Sequence, residues 1–174
     1  MRYLNYVALG VIIIGLFCGP AAAQKRKKPV TKKPVAGKTV VPPMDVRLAR
    51  EKVDIQLANV NAFVDKYGPI AQSVEVLNGA AAAGRLKKSD IALNELTKKN
   101  LIIAIRDLKA GLVTLESEFR TKPVLAKYLP TIRGITDLAA QSEDTAIAGK
   151  FVAAKDPLRD VSKKLTDTLA AMPK

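Results

Sequence analysis

Residues 90–120 read DIALNELTKKNLIIAIRDLKAGLVTLESEFR. Leu101, Ile105, Leu108, Leu112, Leu115 and Phe119 advance by alternating steps of four and three. That spacing gathers side chains on one face of an α-helix. Ile91, Leu93 and Leu96 extend the pattern backwards, and Ser89 or Asp90 stands where a capping oxygen is wanted. The stretch predicts one helix from Asp90 to Arg120, long enough to be the spine of a bundle. Ile102 and Ile103 widen its apolar stripe, which implies packing on more than one side, either as core or as a dimer seam.

The flanking segments have the same period. Upstream, Val46, Val53, Val60 and Tyr67 recur every seven residues, with Leu57 and Val64 beside them. These define an amphipathic helix with Asp45 in its first turn, where a negative charge suits the dipole. Gly68-Pro69 is expected to end it. A shorter helix with Ile70, Val74, Leu77 and Ala81 on one face should follow, stopping near Asn78-Gly79 or Gly84.

Downstream, Thr121-Lys122-Pro123 restarts the chain. Val124, Leu125, Tyr128, Leu129, Ile132, Ile135 and Leu138 continue a helical pattern, with a kink expected at Pro130. Ser142-Glu143-Asp144 reads as a cap for a short helix carrying Ile147 and Phe151. Asp156-Pro157 reads as the start of a last helix with Leu158, Val161, Leu165, Leu169 and Met172 on its face.

No segment has a convincing period of two. The aromatic content of 5% and the absence of Trp leave the core to Leu, Ile, Val and Ala. The expected fold is all-α: an antiparallel four-helix bundle with one or two extra short helices over residues 44–174, preceded by a disordered basic arm.

Two different segments precede that domain. Residues 1–23 have the form of a secretory signal peptide: Arg2, an apolar run from Val7 to Phe17, a break at Gly19-Pro20, then Ala21-Ala22-Ala23. Cleavage is expected between Ala23 and Gln24, giving a periplasmic or otherwise extracytoplasmic protein. The alternative is a retained N-terminal membrane anchor, because the charges just beyond the run outnumber Arg2. Leu16 and Phe17 before Cys18 argue against a lipidation signal.

Residues 24–43, QKRKKPVTKKPVAGKTVVPP, hold Lys25, Arg26, Lys27, Lys28, Lys32, Lys33 and Lys38, four prolines and no acidic residue. Such a segment should be extended, polyproline-like and unable to fold alone. Of the net charge of +13, these seven residues and Arg2 account for eight; residues 44–174 carry the remaining +5, from 21 basic and 16 acidic residues. The arm suits an electrostatic grip on an anionic partner: lipid head groups, an envelope polymer or an acidic protein face. It can also serve as a solvated spacer. Nucleic acid is the third partner class, the alternative for an anchored cytoplasmic chain, but the arm has no aromatic for base stacking and export argues against that partner.

The chemical repertoire is narrow. There is no His, and the single cysteine, Cys18, lies in the apolar run. Zinc sites of the Cys/His type, His-ligated haem, Ser-His-Asp triads and, after cleavage, disulfides and thiol nucleophiles are excluded. Glu116 and Glu118 are two apart and point to different faces. Glu143-Asp144 reads as capping. Asp156 and Asp160 share a helix face that suits a cap and a surface charge better than calcium. Lys88-Ser89 and Ser162-Lys163 are neighbours, so they diverge on a helix. Gly79 to Gly84 lacks phosphate-loop spacing. No enzyme activity, cofactor or metal is expected.

Tyr67-Gly68-Pro69-Ile70-Ala71, Thr136-Asp137-Leu138-Ala139-Ala140 and Leu169-Ala170-Ala171-Met172-Pro173, behind a basic leader, form an ordering that resembles the PsbQ-type extrinsic subunits of photosystem II. The resemblance covers the layout of the bundle rather than its identities. It implies a lumenal four-helix bundle without catalytic residues that stabilises a membrane complex. Bacterial members carry a lipobox, which this chain lacks.

Overall fold

The computed structural model describes residues 42–174. Residues 1–23, expected as a signal peptide, the expected cleavage point after Ala23, and the seven cations from Lys25 to Lys38 lie outside the described residues. Two long helices, α1 (Met44–Ala82) and α2 (Lys88–Thr121), form a hairpin. A 3-10 turn, Pro123–Tyr128, and a single-turn helix, α3 (Leu129–Ile132), then lead to α4 (Ile135–Ile147) and α5 (Lys155–Ala171). No strand occurs among the described residues.

The helices alternate in direction, as their cross-links show. Lys52 meets Glu118 and Asn78 meets Asn94, so α1 and α2 are antiparallel. Arg106 pairs with Glu143 while Glu116 reaches Gly134, which sets α4 against α2. Asn61 accepts from Ser162, and Arg50 reaches the carbonyl of Leu169, which sets α5 against α1. With α4 also on α5, the four substantial helices close into the antiparallel four-helix bundle that the periodicity predicts.

The apolar spacings are the core. Val46, Val53, Val60 and Tyr67 are all buried, as are Ile105, Leu112, Leu115 and Phe119. Leu158, Val161 and Leu165 bring the face of α5 onto them. Full burial of such a side chain contributes roughly 1.5–3 kcal/mol. The exposed Lys163–Asp167 pair of α5 contributes less than about 1 kcal/mol. Packing, not surface charge, therefore holds α5 in place.

Four local expectations are corrected. First, Gly68-Pro69 does not end α1, which continues to Ala82. Pro69 removes the N–H that would bond to the Asp65 carbonyl. Both residues face solvent, so water can satisfy that carbonyl, while Tyr67, Gly68 and Ala71 pack inward. Second, Ser142 is in the middle of α4, donating 2.7 Å to the carbonyl of Ala154, and caps nothing. Ile147 ends α4 and is exposed, while Phe151, expected on the same short helix, lies beyond it and is buried. Third, α2 and α5 start at Lys88 and Lys155 without side-chain caps, one or two residues before the capping residues read from sequence. Fourth, Pro130 sits in the first turn of α3 rather than kinking a long helix. The chain turns instead at Gly134, whose φ of +88° favours glycine.

Candidate functional site

The helices differ greatly in length, and that difference creates the most distinctive surface. At about 1.5 Å per residue, the 39 residues of α1 span roughly 58 Å and the 13 of α4 only about 20 Å. An upper core cluster unites Tyr67, Ala71 and Val74 with Leu101, Ile105, Ala146 and Phe151. The Tyr67 hydroxyl donates to the Phe151 carbonyl at 3.0 Å, and the Val152 N–H donates to Glu75 at 2.9 Å. The α4–α5 connection thus covers α1 only as far as Glu75.

Beyond that level, among the described residues, α1 and α2 continue as a hairpin without α4 or α5 beside it. N-terminal to Leu101, the buried residue of α2 is Asn94. Its Nδ2 donates to Asn78 Oδ1 at 2.8 Å, while its own Oδ1 is buried without a partner. Asn94 stands seven residues before Leu101, on the seam facing α1.

A second apolar row occupies another face of α2. Leu93, Leu96 and Ile103 are 64%, 54% and 50% exposed, and with Asn100 they follow steps of three, four and three. Sequence reading assigned Leu93 and Leu96 to the core stripe, which the structure corrects. The distinguishing signal was available: this row runs parallel to Asn94, Leu101, Leu108 and Leu115 without sharing members with it. The hairpin is also cationic. Between residues 76 and 103, Arg85, Lys87, Lys88, Lys98 and Lys99 face two acids, Asp90 and Glu95. That is +3 of the +5 carried by residues 44–174. Lys98 pairs with Glu95; Arg85, Lys87, Lys88 and Lys99 make no ion pair among the described residues.

The carboxylates inside the bundle have architectural partners. Glu116, 2% exposed, accepts the N–H groups of Gly134 and Thr136 at 3.0 Å each and pairs with Arg120 at 2.5 Å. Burial pushes its carboxyl up, but the Gly134 and Thr136 amides and Arg120 prevail and bring it down to about 2. Glu116 therefore caps the N-terminus of α4 from a neighbouring helix. Glu143 is held below the ordinary carboxylate range by Lys109 and Arg106. Burial opposes, but Lys122 and Lys52 hold Glu118 down as well. Glu116 and Glu118 do face different neighbours, as their spacing predicts. Ser162 bonds to Asn61 and Ser89 to Asp90, so neither hydroxyl meets its adjacent lysine.

Asp156 and Asp160 line an open groove of about 790 Å³ between α4 and α5, together with Asp137 and Asp144. No group of three or more potential metal ligands converges among the described residues. A smaller recess of about 510 Å³ lies at the opposite end from the hairpin tip, walled by Pro42, Pro43, Val46, Pro123, Val124 and Tyr128 among others. Among the described residues no helix is long and apolar enough to cross a membrane.

No family model matches the chain, and no curated protein or solved structure is significantly similar to it.

Proposed function

We propose that this is an exported, non-enzymatic binding or structural protein: a helical bundle that works through its surfaces, with residues 24–43 as a cationic arm for an anionic partner. The observation that carries the proposal is the α1–α2 hairpin beyond Glu75, whose apolar row is exposed and whose Arg85, Lys87, Lys88 and Lys99 make no ion pair among the described residues. Evenly scattered apolar residues on a surface need no explanation, but a row apolar at three of its four positions on one helix face points to a contact. The bundle-facing carboxylates support the same reading, since Glu116, Glu118 and Glu143 are each neutralised by amides or cations that build the fold.

The arm and the hairpin supply different terms. Seven Lys/Arg give long-range, salt-sensitive attraction to lipid head groups, an envelope polymer or an acidic protein. The hairpin face supplies short-range apolar fit.

Fractionating the native host and taking the intact mass of the chain tests the export half of this proposal. A soluble extracytoplasmic chain beginning at Gln24 is the expected result. A full-length chain facing the cytoplasm would overturn it and make nucleic acid the partner to test.

A further inference from the structure

The tip of the α1–α2 hairpin joins exposed apolar side chains to unpaired cations. The two most exposed large apolar side chains among the described residues are Val76 on α1 and Leu93 on α2, at 72% and 64%. Val76 stands six residues before the end of α1 at Ala82, and Leu93 five after the start of α2 at Lys88. At about 1.5 Å per residue, both lie roughly 8 Å from the tip. The bond between Asn94 and Asn78 ties the two helices together close to that level. Ile91, also exposed, and half-buried Leu86 lie nearer the tip. Arg85, Lys87 and Lys88 stand at the turn itself, exposed and without an ion pair among the described residues, against the single acid Asp90. From Val76 to Gly84 no side chain is charged. The main chain of the turn is closed on itself: with Gly84 at φ +68°, the amides of Gly84 and Arg85 donate to Ala81 and Ala80 at 2.9 Å each. On the other side, the Ile91 amide donates to Lys87 at 3.1 Å.

We infer that this tip docks end-on against an anionic lipid surface. Arg85, Lys87 and Lys88 meet the head groups, while Ile91, Val76 and Leu93 enter the boundary between head groups and acyl chains. A soluble polyanion would pair with the cations but leave the apolar level in water, whereas a bilayer interface takes both. Apolar groups of surface-seated helices reach about 5–10 Å into that boundary, the depth at which Val76 and Leu93 stand. The closed turn suits the same medium, because backbone groups left unpaired there are costly. Asn100 and Asp107 are 12 and 19 residues along α2 from Lys88, about 18 and 28 Å away, so end-on docking leaves both in water. This inference rests on reading the hairpin as a contact element and names the partner of that contact; it depends on neither the arm nor export.

The chain contains no Trp, so one introduced Trp reports one position. Leu93→Trp and, as a control further along α2, Val113→Trp are each placed in the full chain with the seven arm cations replaced by Gln. Both positions are exposed, so the fold should tolerate them. The probes are vesicles of phosphatidylcholine alone and with phosphatidylserine added. With the anionic vesicles, Leu93→Trp emission should move to shorter wavelength and be quenched by brominated lipid, while Val113→Trp emission should not change. Adding Arg85→Gln, Lys87→Gln and Lys88→Gln to the Leu93→Trp chain should raise the lipid concentration needed about a hundredfold. No response at position 93, equal responses at both positions, or a response indifferent to lipid charge or to the three cations would overturn the inference. Protection of Leu93→Trp from a soluble quencher by polyglutamate but not by vesicles would assign the tip to an acidic protein, and would overturn it too. Intact mass tests export and the arm has its own comparison, so either can fail while this test succeeds, or the reverse.

Discussion

Glu116 on α2 holds the backbone N–H of Gly134 at 3.0 Å, and this bond fixes where α4 begins. The first amides of a helix have no partner within it. Here a buried carboxylate from another helix serves two of them, with Arg120 balancing its charge. Glu116→Gln would keep one acceptor oxygen but turn an amino group toward an N–H. The expected loss is about 1–3 kcal/mol in urea unfolding followed by circular dichroism. An unchanged midpoint would mean that Glu116 is not the cap.

The same carboxylate makes stability depend on acid. Its pKa falls from the ordinary 4.5 to about 2 in the folded chain, so the unfolded chain binds the proton first as pH drops. The stabilisation is fully present above pH about 4.5 and is lost as pH falls toward about 2. It amounts to roughly 3 kcal/mol. Unfolding titrations of the parent and Glu116→Gln should converge at the low end of that window. A constant gap down to the lowest pH would contradict the assignment.

Tyr67 gives the opposite sign at high pH. Burial, aided by the charge of Glu75, pushes its phenol up to about 12. The folded chain therefore keeps a proton that the unfolded chain releases near 10, and stability should fall as pH rises from 10 toward 12. Tyr67→Phe should remove that dependence while costing about 1–2 kcal/mol at neutral pH, because the Phe151 carbonyl loses its donor. Phenolate absorbance during an alkaline titration reports the event directly.

Pro69 is a proline in the interior of a helix, on its solvent face. Restoring the N–H with Pro69→Ala should stabilise the chain by about 1–3 kcal/mol, since the site bears a cost that tertiary packing offsets. A destabilised variant would show that the proline shapes α1 in a way the bundle requires.

Sequence periodicity made the bundle legible because four faces repeat at helical spacing over long stretches, as in Val46 to Tyr67 and Leu101 to Phe119. Gly68-Pro69 misled because local stop signals are weak beside packing: Tyr67 and Ala71 are held in one core from either side of the proline. Ser142 misled because a hydroxyl that caps in one context can bond across a helix pair in another. Glu116 was invisible as a cap because its partners are 18 and 20 residues away. The exposed row on α2 was half legible. Its spacing is in the sequence, but which of two parallel stripes would be covered depended on which one packs against Tyr67, Ala71 and Val74 of α1.

The proposed role of residues 24–43 is a charge-driven grip on an anionic partner. Its most direct test is vesicle binding of the full chain, compared with a chain in which Lys25, Arg26, Lys27, Lys28, Lys32, Lys33 and Lys38 are all replaced by Gln, so that length and the N-terminal apolar run are unchanged. Neutral vesicles and vesicles containing anionic lipid are each titrated with salt. For a charge-driven grip, anionic vesicles should bind the parent more tightly, salt should weaken this preference, and the substituted chain should lose most of it. Equal binding by the two chains, insensitive to salt, would contradict the claim and leave residues 24–43 as a spacer.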